Sequence, residues 1–465
     1  MIKVLIKKEL QAILSSPKFI AVFAVCSILI IMSIYIGIDE YNLSMRHYEA
    51  ANANNSQQML EITDWRRLNT SIIRRPDPML IFVSGINNDV GRQYQISDGS
   101  IKLQNSNYSE NTIFAVFRSM DLMFIVQIVL SLFAIVFSYD LISGEKEAGT
   151  LKLCFANQLP RRKYIIAKYV GSWLGLIIPL LLPLMLGVML ILLYNIPMTT
   201  THWLKLCVFV GLSFIYISFF LSLGMLLSSL NRESSKSFLY LLVIWVCLVL
   251  IIPRTGVMVA GQFISVPTTA EISSKLSQKN RELSTQFIEW VKELRKKVLA
   301  ARSNKERAPL MKELQEKRVK LSQDKAQYDA LLNDDLRNRK IIREKLGFSL
   351  SRISPASAFQ LAAMDLAGTG ASLVTTYEDQ IRDYKDSFIK IRGKKIVEAS
   401  NNTFNATGDN KPKRLDLSEL PEFKYNNPNS NQIIKSIIID VGIIFFCILL
   451  SVAGTFIIFN KYDVR

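Results

Sequence analysis

The sequence predicts an all-α polytopic membrane protein with six transmembrane helices, an N-terminal interfacial helix and a mainly helical extracytoplasmic domain. Half of the 465 residues are hydrophobic and 20% are charged, which is too apolar for a soluble protein and too charged for one that lies wholly in a membrane. The apolar residues are bunched into long uncharged runs. Six runs approach or reach the roughly 20 residues that a helix needs to cross about 30 Å of hydrocarbon.

The first run follows residues 1–17, which form an amphipathic segment. Apolar side chains repeat there at helical spacing, and lysines with one glutamate occupy the opposite face, a pattern typical of a helix in the membrane interface. The run itself is longer than a typical apolar signal core and lacks a clear small-residue cleavage site, so we expect it to stay as an anchor. The predicted spans are residues 18–38, 122–142, 169–195, 206–230, 237–256 and 436–460.

Basic residues in the short connections predict the orientation of the chain. Lysine and arginine collect in short cytoplasmic loops, whereas long translocated loops carry little orientation signal. The N-terminus, the 143–168 loop, the turn at 232–236 and the C-terminal tail are all basic, and six spans place them on one side. We therefore predict a multi-pass protein of the cell (inner) membrane with both termini in the cytoplasm.

The first extracytoplasmic loop, residues 39–121, is predicted to be partly extended. Two short runs, 93–97 and 100–103, flank Asp98-Gly99, which is typical of the turn of a β-hairpin. The apolar run 79–83 is also expected to be extended.

The large extracytoplasmic domain, residues 257–433, is predicted to be helical. Two apolar stripes separated by a polar break at 303–309 indicate an antiparallel helical hairpin. A third helix is expected from Pro355 to Leu366, ending near Gly368, and a fourth carries one apolar stripe. Residues 400–431 are rich in Asn, Pro and Lys and are expected to form a loop. The stripes contain Leu283, Phe287, Trp290 and Leu294; Leu314, Leu321 and Tyr328; and Tyr377, Ile381, Tyr384, Phe388 and Ile391.

The sequence lacks the residue patterns that several classes of function require. The five cysteines and two histidines form no zinc-type cluster, so no metal site is predicted. The excess of 17 positive charges is dispersed and not interleaved with stacking aromatics, which argues against nucleic acid. The sequence has no glycine-rich phosphate cradle and no motif of a hydrolase, so we expect no catalytic residues and no cofactor in this chain.

The remaining candidates for functional residues in the membrane spans are the polar and helix-breaking residues inside them. Gln127 is expected to bond to a neighbouring helix and Asp440 to lie at the outer headgroup level, since polar groups are unfavourable in hydrocarbon. Pro179 and Pro183 interrupt the hydrogen-bond ladder of the third span, which predicts a kink that shapes the bundle or serves a gating motion.

The loop between the second and third spans carries the most specific pattern. Asp140 is followed by Leu-Ile-Ser-Gly-Glu-Lys-Glu-Ala-Gly-Thr-Leu up to Leu151, then by Pro160-Arg161-Arg162 and by Lys168. This pattern resembles the permease subunits of type-2 ABC exporters, in which an acidic Gly-Thr-Leu helix and a proline-arginine turn ending in a lysine join these spans. Ala148 and Ala167 depart from the family, which often has arginine and glycine there. The long insertion before the last span resembles the insertion found in one branch of this family.

The resemblance implies that this loop is a coupling helix that docks on a cytoplasmic ABC ATPase. The docking residues would be Glu145, Glu147, Gly149, Thr150, Leu151, Arg161 and Arg162. Carboxylates can pair with cations of a partner, a glycine permits close backbone approach, and a leucine can serve as an apolar anchor. A solvated interfacial turn is the alternative interpretation of the same residues.

The predicted function is the permease subunit of an ATP-driven ABC exporter that moves a substrate across or out of the membrane. ATP and Mg²⁺ would bind the partner ATPase, and a second permease copy or a homologue would complete the membrane part, which contacts lipid. The alternative is a complex that transmits force or signal to an extracytoplasmic protein partner through the helical domain. The sequence does not identify the substrate, and peptides, lipids, antibiotics and ions all remain candidate substrates.

Overall fold

The computed structural model describes residues 2–86, 93–97, 100–104, 120–156, 159–300, 304–405, 415–426 and 430–462. The chain forms two compact units. Residues 1–250 with 354–465 form the first, called the membrane unit, and residues 251–353 form the second, called the hairpin unit.

Six helices in the described part of the chain are long and apolar enough to cross a membrane. This finding confirms the all-α polytopic class, because the backbone of a spanning helix satisfies its own hydrogen bonds in hydrocarbon. The six helical runs are Pro17–Glu61, Leu122–Glu147, Arg161–Leu193, Thr200–Leu230, Ser234–Phe263 and Ile433–Lys461.

The chain begins with helix α1 (Ile2–Leu14), and α2 (Pro17–Glu61) follows after a two-residue break. Ser16 caps α2, since its hydroxyl accepts a hydrogen bond from the Phe19 amide at 3.2 Å. With 45 residues, α2 is about 68 Å long, which is roughly twice the hydrocarbon thickness. The sequence predicted a loop from residue 39, but the helix continues because no glycine or proline interrupts residues 38–75.

The second to fifth spans pack as a bundle. The second, α3, covers residues 122–138 and contains a π-helical segment, Ile125–Leu130. Helix α6 (Arg161–Leu193) stays helical through Pro179 and Pro183, and α7 (Thr200–Leu230) crosses next to α3. Gly224 lets these two helices touch, because a Cβ there would collide with Ser138. The short helices α4 (Ser143–Glu147) and α5 (Thr150–Ala156) lie between α3 and α6 in the chain. Helix α8 (Ser234–Val246) ends in the π-helical turn Cys247–Ile251.

The last span, α14 (Ser430–Lys461), packs against α7 and against a short buried helix, α12 (Pro355–Ala367). Helix α12 ends at Gly368, whose φ of +72° is the left-handed conformation that glycine favours. The structure therefore confirms the predicted third helix and its glycine stop. The sequence assigned this helix to the extracytoplasmic domain, whereas the structure buries it among the spans.

Contacts along α12 show how deep it lies in the membrane unit. Ser354, at its N-terminus, donates a hydrogen bond to the carbonyl of Leu248. Phe359 stacks on Tyr216 of α7, with ring centroids 4.5 Å apart. Gln127 of α3 donates to Gln360 at 3.4 Å, so the predicted bond of Gln127 to a neighbouring helix is confirmed.

A small antiparallel sheet lies between α2 and α3 in the chain. Its strands are β1 (Thr70–Ile73), β2 (Gln93–Ser97) and β3 (Ser100–Gln104), in that order. The predicted β-hairpin is confirmed with Ser97 opposite Ser100, although its turn lies outside the described residues. The prediction of extended chain at 79–83 is wrong. Pro78–Ile81 is a 3₁₀-helix, because Asp77 caps the Met79 amide at 2.8 Å.

Helix α13 (Ala371–Asn405) covers the sheet with its aromatic face. Tyr377, Ile381 and Phe388 are buried there, which confirms that the predicted stripe is a packing face. Arg74 lies over the ring of Tyr377, and burial lowers the pKa of its guanidinium. The helix runs past residue 400, where the sequence predicted a loop. Residues 406–414 and 427–429 of that loop lie outside the described part.

The hairpin unit contains α9 (Ile252–Phe263), α10 (Thr269–Ala300) and α11 (Asn304–Ser351). Helices α10 and α11 are antiparallel, since Lys325 donates to Ser284 at 2.8 Å and Lys317 lies over the ring of Trp290. This confirms the predicted helical hairpin. Helix α11 begins at Asn304, so the predicted polar break is shorter than 303–309. Residues 301–303 lie outside the described part.

Candidate functional site

The loop between α3 and α6 folds into two short helices, α4 (Ser143–Glu147) and α5 (Thr150–Ala156). Gly149 separates them with a φ of +71°, a conformation that other residues rarely adopt. A Cβ at this position would meet no atom within 4 Å, so the glycine serves the backbone bend and leaves open space.

Helix α4 is bound to the end of α7. The amides of Ile142 and Ser143 both donate to the Ser228 hydroxyl at 2.9 Å. Lys146 donates to the carbonyls of Ser229 and Asn231, which are among the last acceptors of α7. A lysine at a helix C-terminus satisfies carbonyls that have no partner within the helix. These bonds fix α4 relative to the fourth span.

A buried ion-pair cluster joins α4 to α1 and α6. The ammonium of Lys168 lies 2.8 Å from Glu145 and 3.1 Å from Glu9. Tyr164 donates a hydrogen bond to the second carboxylate oxygen of Glu145 at 2.6 Å. The side chains of Lys168, Glu9 and Glu145 are only 7%, 12% and 18% exposed. Because buried charges lose much of their hydration, each of these charged groups is stabilised mainly by its ion-pair and hydrogen-bond partners.

Helix α1 can lie this close to α6 because two glycines of α6 face it. A Cβ on Gly171 would come within 2.7 Å of the Cβ of Glu9, and one on Gly175 would press against Ile13. The close approach of the two helices places the Glu9 carboxylate next to Lys168. The predicted N-terminal helix therefore packs on a membrane span with one face and supplies a charged group to the cluster.

The seven predicted docking residues fall into two groups. Glu145 belongs to the ion-pair cluster, and Leu151 is buried in a core that includes Tyr164 and Phe459. Arg161 donates to the carbonyls of Phe459 and Asn460 at the end of α14, at 3.0 and 2.6 Å. These three side chains bond or pack within the chain.

The remaining four predicted residues are exposed: Glu147, Gly149, Thr150 and Arg162. Glu147 accepts a hydrogen bond from the Ser234 amide at 3.1 Å, at the start of α8. Its side chain still faces the surface of the loop.

Sequence reasoning gave no role at this site to three residues, Glu9, Leu153 and Lys168, although the motif includes Lys168. Glu9 and Lys168 are 159 positions apart, and no local pattern pairs them. Leu153 of α5 is 68% exposed although it is a leucine. It alternates with buried Leu151, and the heptapeptide α5 is too short for a periodicity to distinguish the two faces. The described residues hold no group of three or more histidine, cysteine or carboxylate side chains that could bind a metal.

Comparison with known proteins identifies a family. The model of a family described as ABC-2 family transporter protein matches residues 3–464, which is nearly the whole chain. No curated protein matches the sequence.

Proposed function

Because the chain belongs to the ABC-2 family of transporter proteins and is a membrane-spanning permease subunit, we propose that it serves an exporter driven by a separate cytoplasmic ATPase. The observation that carries the proposal is the anchored loop α4–α5. Glu147, Thr150 and Leu153 are exposed on one face of the loop. On the other face, Glu145 pairs with Lys168 of α6, which also pairs with Glu9 of α1. The loop backbone bonds to Ser228 of α7, and Leu151 lies in a core with Phe459 of α14. Such a loop can receive a push at one face and pass it to four helices.

We assign different roles to the seven predicted docking residues. Glu147, Gly149, Thr150 and Arg162 would contact the ATPase, together with the exposed Leu153 as an apolar anchor. Glu145, Leu151 and Arg161 would hold the loop in position from behind. The contact face then combines a carboxylate, a guanidinium and one apolar side chain, a composition suited to a groove on a protein partner.

The coupling step would be a rigid-body movement of the loop. ATP and Mg²⁺ would act on the partner chain, because this sequence has no phosphate cradle. When the ATPases close, the displaced α5 would move α4 and, through Lys168, the 33-residue span α6. A push of this kind shifts a two-state equilibrium between inward and outward arrangements. We place the loop and both termini in the cytoplasm, the chain in the inner membrane, and a second copy or a homologue beside it.

A second candidate function is transmission of force or signal to an extracytoplasmic protein through the hairpin unit. The lengths of its helices favour this candidate, since α10 has 32 residues and α11 has 48, about 48 and 72 Å. Deletion of residues 276–343 separates the two candidates. Loss of the cellular activity with intact ATP hydrolysis would support transmission, whereas retained substrate export by the shortened chain would support the exporter alone.

Replacing Leu153 with aspartate is expected to lower the amount of co-purifying ATPase at least tenfold, because a charge would replace the apolar anchor in a desolvated contact. The matched control is Leu331→Asp, at a leucine of similar exposure (63%) in α11. Both variants are purified from membranes in mild detergent, and the ATPase is quantified by mass spectrometry. Equal ATPase recovery with the two variants would contradict docking at α5.

A further inference from the structure

Positive charge is concentrated at one end of the helical hairpin. The described residues of that end, 292–300 and 304–320, contain ten lysines and arginines and four glutamates. The charge of the hairpin stem is nearly balanced by comparison. Residues 269–291 contain three basic and three acidic residues, and residues 321–353 contain seven basic and five acidic residues. These 26 residues therefore carry six of the 17 excess positive charges of the whole chain.

The pairing of the two helices shows that this segment is the distal end of the hairpin. Lys325 meets Ser284, and Lys317 meets Trp290, so residues 291–300 of α10 and 304–316 of α11 lie beyond these contacts, at the far end of the two helices. Lys296 pairs with Glu293 at 2.8 Å, but such exposed pairs are weak and leave the excess charge in place. The exposed basic side chains here include Lys292, Arg295, Lys296, Lys297, Lys312 and Arg318.

Two large apolar side chains are exposed among these charges. Leu299 lies in the last turn of α10 and is 75% exposed, and Met311 lies near the start of α11 and is 53% exposed. Lysine and arginine attract the phosphates of anionic lipids, and neighbouring apolar side chains enter the boundary between headgroups and acyl chains. An acidic polymer would bind the basic side chains alone, and Leu299 and Met311 would then have no apolar group to contact.

We infer that the distal end of the hairpin, residues 292–300 and 304–320, docks on the surface of an anionic lipid bilayer. Its lysines and arginines bind lipid phosphates, and Leu299 and Met311 insert below them. The docked end is a second membrane contact of the chain, separate from its six spanning helices. It adds a lipid-sensing surface to a unit that contains no residue of the ATPase-docking loop.

The test uses the full-length chain in nanodiscs of phosphatidylcholine, mixed with vesicles that contain or lack phosphatidylglycerol. Co-flotation at physiological salt is expected to be at least tenfold higher with the anionic vesicles. The Lys296→Glu/Lys297→Glu variant is expected to lose at least tenfold of this binding. The matched control is Lys275→Glu/Lys340→Glu, which makes the same charge change at exposed positions of the stem and keeps the binding.

The apolar contribution is tested with Leu299→Ser/Met311→Ser, which is expected to bind several-fold less and to lose the remaining binding in high salt. Equal flotation with neutral and anionic vesicles would overturn the proposal, and so would full binding by the Lys296→Glu/Lys297→Glu variant. Unchanged binding by Leu299→Ser/Met311→Ser would overturn the insertion of these two side chains into the bilayer. The assay contains no ATPase, so its outcome is independent of the docking proposed for α5.

Discussion

Replacing Lys168 with methionine is expected to loosen the attachment of the α4–α5 loop to α1 and α6. The change keeps the apolar stem of the side chain and removes the cation between Glu9 and Glu145, which are 3.1 and 2.8 Å from it. Removal of one partner from a buried ion pair typically destabilises by about 3–5 kcal/mol, because the remaining charges stay desolvated. We expect the purified variant to unfold at a lower temperature and to lose ATPase co-purification.

The matched control for this prediction is Lys163→Met, at an exposed lysine of the same helix five positions earlier. Limited proteolysis reports on the loop itself, and the Lys168→Met chain should be cut faster between α4 and α6 than the control. Neutralising the carboxylates as well, with Glu9→Gln and Glu145→Gln, should restore part of the thermal stability. The cluster would have no structural role if Lys168→Met and Lys163→Met behaved alike.

The second large effect is expected at Phe359, on the buried helix α12. Its ring is fully buried and stacks on Tyr216 of α7, with an interplanar angle of 18°. Replacing it with alanine removes the stack and leaves a cavity between α12 and the spans, which typically costs about 3–5 kcal/mol. We expect a large fall in the yield of folded protein and in its thermal midpoint in detergent.

The control for Phe359 is Phe446→Ala, at a phenylalanine of α14 that is 59% exposed and faces away from the core. Its loss should change the thermal midpoint little, because the side chain leaves no internal cavity. Gln360→Leu, one position along, would show whether the Gln127 bond contributes. A Phe359→Ala protein as stable as Phe446→Ala would mean that α12 is not held by the packing described above.

The spans could be predicted from the sequence because the bilayer imposes a local rule. Each run of about 20 apolar residues must be a helix, whatever its neighbours are. The ends of the helices follow another rule. Residues 39–61 of α2 are mostly polar and contain no glycine or proline. Hydropathy defines the membrane span but does not indicate where the helix ends. The apolar stripe on α13 identified a packing face but not the sheet and aromatic residues that it contacts.

The candidate site could be predicted as a segment but not as an arrangement. The motif from Asp140 to Leu151 is local and singled out the loop, whereas the roles of its residues depend on distant partners. Glu145 pairs with Lys168, which also pairs with Glu9, and Arg161 is bonded to the end of α14. The burial of α12 is likewise tertiary, since an alanine-rich helix between two polar segments gives no sign of depth. Leu153 differs from Leu151 only in the direction that it faces.

The central claim is that a separate ATPase docks on this chain, and a pull-down from native membranes tests it most directly. The chain is isolated in mild detergent, its partners are identified, and the eluate is assayed for ATP hydrolysis. The proposed function predicts a stoichiometric ABC ATPase and ATP hydrolysis in the eluate. Reproducible absence of any ATPase, with the chain intact and folded, would contradict the assignment of the α4–α5 loop as a coupling site.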